Sequence, residues 1–137
     1  MSQAKPLRTA VHVDPLAMGI VVLAVATAMI HLVLGISLGP PSVRPFPLVF
    51  YLNTLGYLVL VAALYAPQLQ PARRVVRRVF IAYTILTIVL WLLLAPVREP
   101  LGYLDKVIEI ALVTLLIVGD RQDSRQTRRG GGVRRTA

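Results

Sequence analysis

Four predominantly apolar runs, 16–38, 47–66, 79–97 and 101–118, are separated by short stretches rich in proline and arginine. At 1.5 Å per residue, each is about long enough to cross a hydrocarbon core of roughly 30 Å as a helix. The first two runs are apolar all round: no charge occurs from 16 to 38 or from 46 to 72. A soluble bundle would instead show one apolar stripe per helix and a charged opposite face. Loops this short make successive helices antiparallel neighbours. The pattern predicts an all-α protein, a four-transmembrane-helix antiparallel bundle.

The prolines mark the same boundaries, since all ten lie in loops or at run edges. Proline costs about 3 kcal/mol inside a helix but is tolerated in its first turn. Asp14-Pro15 reads as an N-cap followed by a first-turn proline, and Pro47 opens the second helix in the same way. Pro67 and Pro71 are expected to stop the second helix, Pro96 and Pro100 the third, and Gly119 to cap the fourth. Ala24 and Ala28 form a small-xxx-small pair of the kind that lets helices approach closely, a spacing that also arises by chance.

Composition agrees. The chain has 137 residues, 56% of them hydrophobic, and a mean hydropathy of +0.70, too apolar for a soluble domain of this size. The absence of cysteine excludes disulfides, thiolate metal sites and iron–sulfur clusters.

The net charge of +9 is unevenly distributed. The N-terminal segment, the second loop (Arg73, Arg74, Arg77, Arg78) and the tail (Arg121, Arg125, Arg128, Arg129, Arg134, Arg135) together hold twelve basic residues. The first and third loops hold three: Arg44, Arg98 and Lys106. By the positive-inside rule both termini are cytoplasmic. The first run is longer than a signal-peptide core of ~7–15 residues and has no small-x-small site after it, so it is expected to be retained. Three segments follow: a cytoplasmic N-terminal segment 1–15, a transmembrane domain 16–119, and a basic tail 120–137 too polar to bury a core and expected to be disordered. The basic residues of the second loop and tail suit anionic lipid headgroups, at about 1 kcal/mol each near the surface, or a protein partner. Nucleic acid is the poorer match.

Ionisable groups inside spans are costly and mark function by default. Here they are His31, Asp105, Lys106 and Glu109. Counted along the runs, His31, Asn53, Thr87 and Glu109 fall roughly 9–12 Å below the outer boundary. Helical spacing groups Thr27, His31 and Gly35; Asn53, Gly56 and Tyr57; Tyr83, Thr87 and Trp91; and Asp105 with Glu109. A buried polar cluster of His31, Asn53, Tyr57, Thr87 and Glu109 is expected. Asp105 and Lys106 are expected to be helix-end charges, Asp105 near the surface and Lys106 placed to pair with Glu109. The cluster is either an interhelical clasp or a site for a ligand, an ion or a proton.

Catalytic chemistry has little support. No serine stands with a base, and there is no HExxH, no phosphate loop and no carboxylate-rich cluster. Only one histidine, His31, lies within a run, so a bis-histidine haem within one chain is not expected. No cofactor and no metal are assigned.

The stretches Leu52-Asn53-Thr54-Leu55-Gly56-Tyr57-Leu58 and Leu101-Gly102-Tyr103-Leu104-Asp105-Lys106-Val107-Ile108-Glu109 resemble small four-helix bacterial membrane proteins to which no activity is assigned. The likeness spans about residues 16–120. The early arginine and glycine pattern of DoxX-like proteins is missing. The resemblance implies the fold and no function.

The expected function is that of a small, non-enzymatic accessory or scaffolding subunit in the cytoplasmic (inner) membrane, multi-pass, as a homo-oligomer or within a larger complex. The alternative is a proton-linked transporter or lipophilic-ligand binder that uses Glu109 as its titrating group.

Overall fold

The computed structural model describes residues 14–39, 46–94 and 99–132. The segment 1–13, Arg44, Pro96, Arg98, Arg134 and Arg135 lie outside the described residues, as do the side chains of Arg128 and Arg129. Within them the chain is all-helical: α1 (Pro15–Ser37), α2 (Phe46–Tyr65), a 3-10 turn (Pro67–Ala72), α3 (Arg73–Leu94) and α4 (Pro100–Gly132). No strand occurs among the described residues.

The start of α1 is as the sequence leads one to expect. Asp14 is the N-cap, its Oδ1 accepting from the Leu16 N–H at 3.1 Å, with Pro15 in the first turn. Its end is set by Gly39, whose φ of +89° takes the chain out of the helix.

Three boundaries differ from the apolar runs. α3 begins at Arg73 rather than at 79, because arginine is a good helix former and hydropathy bounds the span, not the helix. Pro100 opens α4 instead of ending α3; the Glu99 carbonyl accepts from the Gly102 and Tyr103 N–H groups at 3.0 and 3.3 Å. α4 also runs straight through Gly119 to Gly132. The expected cap at Gly119 and the disordered tail up to that point are therefore corrected. The acidic side chains of this extension meet the arginines of α3, and that gives it the partner the sequence did not reveal.

Three helical stretches, Pro15–Ser37, Pro47–Tyr65 and Pro67–Leu94, are long and apolar enough to cross a membrane. α4 is lowered in hydropathy by Asp105, Lys106 and Glu109, all of which face inward at 7% exposure or less. Its outward residues include Leu104, Val107, Ile110, Ile117 and Val118.

α1 packs against α2 and α4, and α3 against α2 and α4. Along the α1–α2 seam, Tyr65 donates to the Ala17 carbonyl near one end at 3.3 Å, Thr54 to that of Ala28 at 3.2 Å, and Gly35 lies under Phe50 and Tyr51 near the other. The Ala24–Ala28 pair lies buried in the core beside Ile20, Leu64, Phe80, Leu112 and Leu116. Gly56 sets the approach of α2 to α3: a Cβ there would lie 2.7 Å from Tyr83 Cζ. The outer surface is broadly apolar, with Val22, Met29, Ile36, Leu52, Leu55, Val59 and Leu93 all more than half exposed. Continuous apolar surface on this scale calls for lipid or another chain around it.

Candidate functional site

All four helices contribute to one buried polar cluster. From α1 come Thr27 and His31, 0% and 4% exposed. α2 supplies Tyr57 and α3 supplies Thr84 and Thr87. α4 supplies Asp105, Lys106 and Glu109, of which Glu109 is fully buried. The α1 residues share a face because Thr27 and His31 are one turn apart, and Asp105, Lys106 and Glu109 converge for the same reason.

Glu109 is the most heavily bonded group. Its Oε1 accepts from the Tyr57 hydroxyl at 2.6 Å and from Thr87 at 3.0 Å, and its Oε2 accepts from the Lys106 ammonium. Tyr57 and Thr87 also touch, at 2.8 Å, and Thr87 lies 2.8 Å from the Thr84 carbonyl. Lys106 reaches Asp105 Oδ2 at 2.9 Å and stands 5.9 Å from the centroid of the Trp91 ring. The other oxygen, Asp105 Oδ1, accepts from Thr27 at 2.6 Å.

His31 Nδ1 lies 2.9 Å from the Thr27 carbonyl and 3.8 Å from Asp105 Oδ1. A carbonyl only accepts, so Nδ1 carries a hydrogen. The imidazole stacks obliquely on Tyr57, with ring centroids 5.6 Å apart.

The charges do not cancel. With His31 neutral, two carboxylates face one ammonium, leaving the cluster one negative charge in excess. His31, Asp105 and Glu109 each offer a metal-ligating atom within 4.8 Å of one another. The Lys106 ammonium bonds both carboxylates and so places a positive charge where a divalent ion would need to stand.

His31, Tyr57, Thr87 and Glu109 therefore come together as the sequence leads one to expect, with Lys106 paired to Glu109. Asn53 does not join them. It is half-buried and accepts from Tyr83 at 2.8 Å, and the Tyr83 ring in turn meets Tyr57 at 5.3 Å. Asp105 and Lys106 are corrected: they are not helix-end surface charges but 2% and 7% exposed, bonded to each other, with Asp105 also bonded to Thr27. Their mutual pairing, and the Thr27 hydroxyl one turn before His31, make that possible.

The basic residues also separate. Arg77 is 2% exposed, with Nη1 on Asp123 Oδ2 at 2.6 Å. Arg74 donates to the Asp123 carbonyl at 3.0 Å, and Arg78 lies 3.9 Å from Asp120. Arg73 covers the Tyr65 ring at 5.7 Å. Arg121 and Arg125 are exposed. The expectation that Arg77 is a surface residue for lipid or a partner is thus revised: Gly119 leaves room for its guanidinium, and Asp123 supplies the charge. The chain matches no family model, no curated protein and no solved structure.

Proposed function

We propose that the chain is a multi-pass protein of the cytoplasmic membrane, an antiparallel bundle of four spans with both termini inside, and that it works as a non-enzymatic accessory or scaffolding subunit of a membrane assembly. Support for α4 as the fourth span comes from its inward-facing charges and its apolar outer face. The arginines of α3 and α4 gather at one end, as the positive-inside rule requires of a cytoplasmic face.

The observation that carries the subunit reading is the completeness of the clasp. Donors from α1, α2, α3 and α4 itself meet the carboxylate oxygens of Asp105 and Glu109. Such interhelical bonds hold membrane bundles together at about 0.6–2 kcal/mol each. Their product is a rigid body with an apolar exterior, suited to association in the plane of the membrane. Native mass spectrometry after mild detergent extraction from the chain's own membrane tests this. Co-purifying subunits are the expected result, and a lone, monodisperse monomer overturns it.

One observation favours the second reading, a proton-linked transporter or binder. The excess negative charge, buried among His31 of α1, Tyr57 of α2, Thr87 of α3 and Asp105, Lys106 and Glu109 of α4, is relieved by one bound proton. Glu109→Gln separates the two readings. It keeps the Oε1 acceptor for Tyr57 and Thr87 and makes the cluster neutral. A clasp retains the fold and cellular function; a proton site retains the fold and loses function.

A further inference from the structure

Away from the Lys106 cluster, at the arginine-rich end, all four helices border a cavity of about 210 Å³. Its walls include Asp14, Tyr65, Arg73, Arg77, Gly119 and Asp123. Arg77 is 2% exposed and pairs through Nη1 with Asp123, yet its buried Nε has no hydrogen-bond partner. The buried Nε of Arg73 has none either, while its guanidinium lies over Tyr65. Guanidinium groups only donate, and a buried donor left unmet is costly. Of the wall carboxylates, Asp14 Oδ1 caps α1 and Asp123 Oδ2 holds Arg77. Gly119 keeps the space beside Arg77 open, since a Cβ there would lie 3.2 Å from its Cζ.

We infer that this cavity binds one phosphate group, with Arg73 and Arg77 as its donors. A phosphate oxyanion only accepts, and its oxygens suit the planar donor fork of arginine. The two wall carboxylates offset the two arginines in formal charge, so recognition is directional. Arg78, 70% exposed and 3.9 Å from Asp120, lies outside the cavity. The cavity lies where the apolar stretches of α1 and α2 give way to polar ones, the depth of lipid headgroup phosphates. The phosphate of an anionic phospholipid and free phosphate share this chemistry. The lipid as source rests on the membrane-spanning proposal; the phosphate site does not.

The test uses the full chain in neutral detergent. Native mass spectrometry with added phosphatidylglycerol should show a one-to-one adduct, and diacylglycerol, which lacks the phosphate, should leave none. Arg73→Gln should weaken the adduct about tenfold, the loss of a charge-assisted hydrogen bond. Arg77→Lys keeps a cation for Asp123, lacks the Nε donor, and should weaken it similarly. Arg78→Gln, at a side chain 70% exposed, should change nothing. Equal retention of diacylglycerol, or equal loss in Arg78→Gln, overturns the site. Inorganic phosphate, read by thermal melting, separates the sources: stabilisation that needs Arg73, without a lipid adduct, upholds the site with free phosphate as ligand. No response to either probe overturns it. Extraction by alkaline carbonate, measured separately, tests membrane insertion and leaves the phosphate result intact.

Discussion

The two ends of the bundle bury charge in opposite ways. Around Lys106, both carboxylates and the ammonium are 9% exposed or less, and each carboxylate oxygen has a donor. Around Arg77, the cation is equally buried but its carboxylate partner is 31% exposed, guanidinium nitrogens are left over, and a cavity adjoins. Pairing that is complete makes structure, because removing the shared ammonium strands two carboxylates. Pairing that is partial and beside open space leaves hydrogen-bonding capacity for something else.

The comparison breaks most readily at Lys106. Lys106→Met leaves two carboxylates buried without a cation and should cost about 3–5 kcal/mol, read from unfolding in mixed micelles. Tyr57→Phe should cost about 1 kcal/mol, because Thr87 still donates to the same Glu109 oxygen. Arg77→Met should cost less again, below about 1 kcal/mol, because Asp123 is open enough for water to replace the guanidinium. If Arg77→Met proves as damaging as Lys106→Met, the contrast between the two ends is wrong. If Tyr57→Phe equals Lys106→Met, the hydroxyl rather than the ammonium anchors Glu109.

Much of this is legible in the sequence. The apolar runs locate all four helices, and Asp14-Pro15 marks the start of the first. Counting depth along each run puts His31, Asn53, Thr87 and Glu109 in one layer, and helical spacing adds Tyr57 beside Asn53. Rotation was less legible. Asn53 shares a helical face with Tyr57, yet Gly56 admits the Tyr83 ring, whose hydroxyl takes up Asn53 before it reaches the interior. Depth alone also places Asp105 near the surface, whereas its bonds to Lys106 and Thr27 allow burial. Arg77 had a signal that an arginine run disguises: Arg77, Phe80, Thr84 and Thr87 recur at helical spacing and are all buried. Its partner, Asp123, lies in a segment whose composition argues against order, so only tertiary contact reveals it.

The length of α4 carries one more consequence. Thirty-three residues make a rod of about 50 Å, well beyond the roughly 30 Å of a bilayer core. It contains no proline after Pro100, and one continuous ladder of backbone hydrogen bonds joins Glu109 to Asp123 and onward. Between these points the helix has no proline at which to kink, and Asp120 and Asp123 tie it to α3 on the way. One unbroken helix thus carries both the basic extension and the buried charges around Lys106.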